Sequence, residues 1–328
     1  MLQHGDDIYN YPNIQINFSS NIWGHANLSA LKDYLALHLD VIDNYPEPDA
    51  HSLESLIAEK VGISRDEVLV TNGATEGIYL LHELFQDAYH DIPQPTFAEY
   101  HDSGLRFCHR DIHNCENRRT VHWLCNPNNP TGKWSDLSQV IDNQDIFIID
   151  QAYENYTLHP SLHDTDTVKE KNIILLHSMT KKYCIPGIRL GYVTAHHDII
   201  ARLRMLKQPW SVNALALEAG KFLLQNDIHV LPDMHHLLDE TQKFRKQIDH
   251  IEGFMTYPTD TNFFLIEHKG HAHTGSIPTL KTYLATRGIL VRDCSNFKNL
   301  SSHFIRVATQ LPEENKELIK WFKQYPYS

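Results

Sequence analysis

The chain has 328 residues, with 29 Lys and Arg against 41 Asp and Glu; the formal charge of −12 and the lack of a basic block argue against a nucleic-acid partner. A hydrophobic fraction of 41% is enough for a buried core and excludes wholesale disorder. No apolar run approaches the ~20 residues a membrane helix needs, and the acidic opening Met1–Asp7 lacks the basic, then apolar pattern of a signal peptide, so a cytoplasmic protein is expected with no membrane partner.

Taken in chain order, Leu28–Leu39 has helical apolar spacing, and His51–Val61 forms a second helix after the breaker Tyr45-Pro46-Glu47-Pro48. Val68–Thr71 is a short strand entering a glycine turn, followed by a helix from about Thr75 to Phe85. Val121–Cys125, Ile146–Ile149, Ile173–Leu176 and Leu190–Val193 read as buried strands. Unbroken apolar runs of this kind suit a mainly parallel sheet covered on both faces, an α/β domain. Beyond it, helices at Ala214–Gln225, Met234–Ile251, Thr279–Thr286 and Glu313–Phe322 alternate with strands at Asn262–Glu267, Ile289–Arg292 and Phe304–Thr309. The expected division is a large domain over 45–211, a smaller α+β domain over 212–328, and an N-terminal segment, 1–44, associated with the latter.

Cys108, Cys115, Cys125, Cys184 and Cys294 are widely spaced with no C-x-x-C pair, so neither a disulfide framework nor a cysteine zinc site is expected. His268, His271 and His273 fit no helical ligand spacing and lie near Gly270 and Gly275, which mark a solvated loop; no metal site is expected there.

Four segments stand where a strand should give way to a loop, the edge at which open α/β sheets bind ligands. Asn72-Gly73-Ala74-Thr75-Glu76-Gly77 offers small residues at a helix start, where backbone N–H groups can meet an anion. Asn126-Pro127-Asn128-Asn129-Pro130-Thr131-Gly132 is a proline-stiffened turn that can hold an amide donor. In Asp150-Gln151-Ala152-Tyr153 a carboxylate ends an apolar strand and needs a cationic or donor partner. The stretch from Ser178 to Gly191 carries Lys181, Lys182 and Arg189; a lysine kept unprotonated forms Schiff bases with carbonyls.

The order N-P-N-N-P-T-G, D-x-A-Y and S-x-T-K-x-x-x-x-P-G-x-R-x-G resembles the fold-type-I pyridoxal-phosphate (PLP) enzymes of the aminotransferase superfamily, over nearly the whole chain. The resemblance implies an aspartate-aminotransferase-like fold and PLP as cofactor. By it, Lys181 rather than Lys182 is the Schiff-base lysine, since it follows Ser178 by three residues and precedes Arg189 by eight. Asp150 would pair with the pyridine nitrogen, and Tyr153 and Asn129 would donate to the ring oxygen. Gly73, Ala74, Thr75, Ser178 and Arg189 would hold the phosphate, and Phe97 would stack on the ring. In the family a tyrosine at the place of Tyr45 reaches the partner subunit's cofactor, which implies a homodimer with shared active sites.

Both ends of the chain are similar to the threonine-phosphate decarboxylases of cobalamin biosynthesis, with histidinol-phosphate aminotransferases as close relatives. The matching stretches are His4-Gly5-Asp6, Asn17–Ile22, Arg287–Phe297 and Phe304–Ala308. The likeness implies that Arg292 and Arg306 receive the anionic groups of an amino acid or amino-acid phosphate, with His4 and Asn21 nearby. Gln310 stands where the subfamily often has an arginine, and Gln151 replaces the usual glutamate beside Asp150. The implied activity is decarboxylation of O-phosphothreonine, with transamination of histidinol phosphate or a related amino acid as the alternative. A PLP-sensing regulator would need a DNA-binding domain, and no basic helix-turn-helix extension is visible.

Overall fold

A computed structural model describes residues 5–107, 119–269 and 279–326. Val68–Thr71, Gly191–Ala195, Ile173–His177, Ile146–Asp150, Thr120–Cys125 and Tyr89–Asp91 lie in that order in a six-stranded sheet. The last four pair in parallel, whereas Gly191–Ala195 is antiparallel to both its neighbours. The sheet is α/β and largely parallel, as the apolar runs require.

Alternation along the strands sends side chains to two packed layers. Ile146, Ile148 and Leu69 meet Ile78, Leu81, Ile200 and Leu203 of the helices Gly73–Leu84 and His197–Leu206. Val68 and Val70 point the other way, onto Leu53 and Ile57 of the helix His51–Val61. Full burial of each such side chain stabilises by roughly 1.5–3 kcal/mol, which fixes register because a one-residue slip would exchange the faces.

The second unit has a four-stranded antiparallel sheet, Arg292–Asp293, Phe304–Ala308, Phe263–His268 and Phe254–Thr256. Phe244, Ile248, Leu318 and Phe322 of the helices Met234–Asp249 and Pro312–Lys323 pack on it, together with Phe18 from the N-terminal segment. Ile16–Asn17 pairs in parallel with Ile289–Leu290.

Several sequence expectations need correction. Ala214–Gln225 is helical as expected, but Ala216, Leu217 and Leu223 pack into the core of the large sheet, not of the C-terminal unit. The N-terminal segment divides likewise: the helix Ser29–Leu37 buries Leu31 in that same core, and only the stretch around Phe18 joins the smaller sheet. Ile289–Arg292 is two strands, because the chain leaves Ile16–Asn17 at Val291 and enters the antiparallel sheet at Arg292. His268 is no loop residue: it ends a strand, is buried, and burial lowers its pKa to about 4. His271 and His273 lie outside the described residues, as do Cys108 and Cys115. Among the described residues no helix is long and apolar enough to cross a membrane.

Candidate active site

The segments after Val68–Thr71, Thr120–Cys125, Ile146–Asp150 and Ile173–His177 meet at one edge of the large sheet, around a cavity of about 650 Å³. The antiparallel strand matters here, since Gly191–Ala195 begins at this edge and carries Arg189 just before it. A Cβ on Gly191 would stand 2.6 Å from the Ala74 backbone nitrogen and 2.8 Å from the His177 carbonyl, so only glycine lets the strand pack against the helix start.

Ala74 and Thr75 form the wall at the N-terminus of Gly73–Leu84, whose first turn has no side-chain cap. Uncapped N–H groups and the helix dipole favour an anion there. Gly73 lies behind this wall at φ 70°, and a Cβ on it would stand 2.5 Å from an Arg189 guanidinium nitrogen. Ser178 lies on the same wall, its hydroxyl paired with Thr180 at 2.8 Å. Backbone donors, a hydroxyl and a guanidinium thus converge on a space suited to a phosphate group.

Asp150 is 5% exposed, and its two oxygens accept from the Tyr100 hydroxyl at 2.6 Å and the Ala152 N–H at 2.8 Å. Both donors are neutral, and among the described residues no cationic side chain forms an ion pair with it. Burial raises the carboxyl pKa, while the two hydrogen bonds and the nearby His177 charge pull it back. A buried carboxylate of this kind fits a protonated ring nitrogen. Tyr100 escaped the sequence reading. It sits three residues after Phe97 at the start of the helix Glu99–Phe107, and nothing local signals a partner fifty residues away. Phe97 meets the Tyr100 ring edge-on at 5.6 Å and presents its own ring to the cavity.

Lys181 also faces the cavity, with Nζ 5.8 Å from the centre of the Tyr153 ring. Its pKa is lowered to about 8, first by burial and then by Arg306 and Arg189. Lys182 lines a different cavity of about 340 Å³. Tyr153 is buried, which pushes its hydroxyl pKa up to about 12 and keeps it a donor.

Arg292 and Arg306 stand opposite each other in antiparallel register, and both reach the cavity. Arg306 donates to the Asn129 side-chain oxygen and, at 2.7 Å, to the Ser19 carbonyl; its Nε is buried without a partner among the described residues. That bond orients Asn129 so that its amide N–H groups remain for a ligand. Arg292 donates to Asn296 at 2.8 Å, and burial lowers its pKa to about 10. Asn21 is 1% exposed and lies beside the Tyr153 hydroxyl, and among the described residues neither amide atom makes a well-formed hydrogen bond. Buried polar groups left open in this way suit a polar ligand.

Gly5 and Asp6 close one side of the cavity, while His4 lies outside the described residues. Asp6 accepts from the Asn17 amide at 2.5 Å and was not anticipated from sequence. Tyr45 is not on the cavity wall: it is 85% exposed and tilts against Trp210 at 5.5 Å. Gln310 lies off the wall too, buried and accepting from the Gly24 N–H.

The model of the aminotransferase class I and II family matches residues 13–321. The chain belongs to that family. A threonine-phosphate decarboxylase from Salmonella typhimurium is 30% identical, over 94% of this chain and 90% of its own. The crystal structure of L-threonine-O-3-phosphate decarboxylase from Porphyromonas gingivalis aligns with a TM-score of 0.87 at 30% identity, covering 94% of this chain and 99% of that one. A histidinol-phosphate aminotransferase from a Thermoanaerobacter species is 27% identical over 86% of this chain and 84% of its own. This class I and II aminotransferase relative is an enzyme of the decarboxylase and aminotransferase kind, with the fold-type-I architecture.

Proposed function

We propose that the chain binds PLP in the 650 Å³ cavity and decarboxylates an amino-acid phosphate, with L-threonine O-3-phosphate as substrate. The observation that carries the substrate class is the pair Arg292 and Arg306, two buried guanidinium groups in addition to the Arg189 of the phosphate cradle. Two planar forks match a substrate that bears both a carboxylate and a phosphate. The decarboxylase relatives at 30% identity support the same reading.

When bound, PLP supplies an electron-accepting ring joined to the substrate nitrogen. Asp150 would hold the ring nitrogen protonated, and Tyr100 and Ala152 fix the direction of its oxygens. Ala74, Thr75, Ser178 and Arg189 would hold the cofactor phosphate, Phe97 the ring face, and Asn129 and Tyr153 the ring oxygen. Lys181 would hold the aldehyde before substrate arrives and afterwards move a proton at its amine. Arg292 and Arg306 would orient the substrate so that the bond to its carboxylate carbon stands perpendicular to the ring.

Histidinol-phosphate transamination is the second reading, favoured by the aminotransferase relative at 27% identity. Product analysis separates the two: carbon dioxide and a phosphorylated amino alcohol from O-phosphothreonine, or glutamate from histidinol phosphate with 2-oxoglutarate. We also infer a homodimer in which Tyr45 reaches the partner's cofactor site.

A further inference from the structure

His177 ends the strand that leads into Ser178 and Lys181, and its side chain is 3% exposed. Its Nδ1 lies 3.2 Å from a Glu154 carboxylate oxygen and its Nε2 3.0 Å from one of Asp164. A neutral imidazole has one donor, so it would turn a lone pair towards one of these carboxylates; the imidazolium donates to both. Glu154 follows directly on Asp150-Gln151-Ala152-Tyr153, and Gln151 reaches it at 3.5 Å. Asp164 opens the short helix Asp164–Thr167 and accepts from the Thr194 hydroxyl at 2.5 Å. Tyr192 stacks on the imidazole at 4.5 Å, and His163 and Lys182 line the 340 Å³ cavity beside it.

We propose that His177 is a positioning residue, a cationic brace that ties the loop bearing Asp150 and Tyr153 to the turn bearing Ser178 and Lys181, and sets a positive charge behind Asp150. Without it, the partly buried carboxylates of Glu154 and Asp164 would face each other without the imidazolium between them, and the loop and the turn would keep the Tyr156 hydroxyl bond to the Lys181 carbonyl but lose their charged link. Misplacement of catalytic groups by about 1 Å can cost ~10²-fold in rate. The two carboxylates outweigh the burial that opposes charge, and the imidazolium pKa is raised to about 10. The proposal rests on the reading of the larger cavity as a PLP site, but the protonation of His177 can be measured without cofactor.

In cofactor-free protein with 15N-labelled histidine, the His177 ring should give imidazolium signals at pH 8 and up to about pH 10. A neutral ring at pH 8 overturns the proposal whatever the enzyme's substrate. In the PLP-loaded enzyme, His177→Gln should lower kcat about tenfold or more with little change in KM and shift the pH profile of the cofactor absorbance; His177→Arg, which keeps the charge, should restore most of both. Equal kcat and equal pH profiles in the Gln and Arg variants would also overturn it.

Discussion

Lys181 and Lys182 are neighbours in sequence and face different cavities. The family resemblance singled out Lys181 by its spacing from Ser178 and Arg189, and the turn sends that side chain, not Lys182, to the larger cavity; its role there is part of the proposal. Tyr100 and His177 were not legible in this way. Each acts through a partner distant in sequence, Asp150 for the one and Glu154 and Asp164 for the other, and a buried tyrosine or histidine looks locally like any core residue. Lys181 gives the prediction at this scale. Burial, then Arg306 and Arg189, bring its pKa from 10.5 to about 8, so it is a free amine above pH 8 and an ammonium below. The rate at which cofactor-free protein takes up PLP, followed by visible absorbance, should therefore rise with pH through about 8 and then level off. A midpoint near 10.5, or a wild-type rate in Lys181→Ala, would contradict the assignment.

At the scale of elements, the buried strands and amphipathic helices were readable because their apolar periods differ. His51–Val61, Val68–Thr71 and Ala214–Gln225 have the bounds their patterns indicate. The edge strand Tyr89–Asp91 was not readable: it is three residues long, polar and partly exposed, so burial leaves no pattern on it. Strand direction was also hidden, since Gly191–Ala195, antiparallel to both its neighbours, is nearly as buried as the strands that pair in parallel. The facing pair Arg292 and Arg306 depends on the antiparallel register of two short strands, and it yields a test. Arg292→Lys and Arg306→Lys keep charge but lose the planar fork. Hydrogen bonds to charged groups are worth ~1.5–3 kcal/mol, so kcat/KM for O-phosphothreonine should fall about ten- to a hundredfold in each. If one arginine meets the phosphate, its variant should also discriminate less against threonine. Two variants with unchanged kcat/KM would remove the substrate from this wall.

For the molecule as a whole, fold class followed from the order of strands and helices, but the division into units did not. The helices Ser29–Leu37 and Ala214–Gln225 carry apolar faces that fit either sheet, and only the packed core shows that they share the larger one. The surface bears on assembly. Leu37, Ile42, Tyr45 and Met205 are exposed by 83%, 64%, 85% and 80%, large apolar side chains of the kind a buried interface covers. In the proposed two-fold dimer Tyr45 completes the partner's site, so Tyr45→Phe should weaken PLP binding by ~1–3 kcal/mol without lowering thermal stability in cofactor-free protein. An active, PLP-saturated monomer in sedimentation would contradict the shared site.

The most direct test of the account follows the carboxyl carbon. PLP-loaded protein given L-threonine O-3-phosphate labelled at the carboxylate should release labelled carbon dioxide and one equivalent of phosphorylated amino alcohol per turnover, with no need of an oxo acid. Retention of the label, together with glutamate formed from histidinol phosphate and 2-oxoglutarate, would contradict the decarboxylase reading and make the chain an aminotransferase.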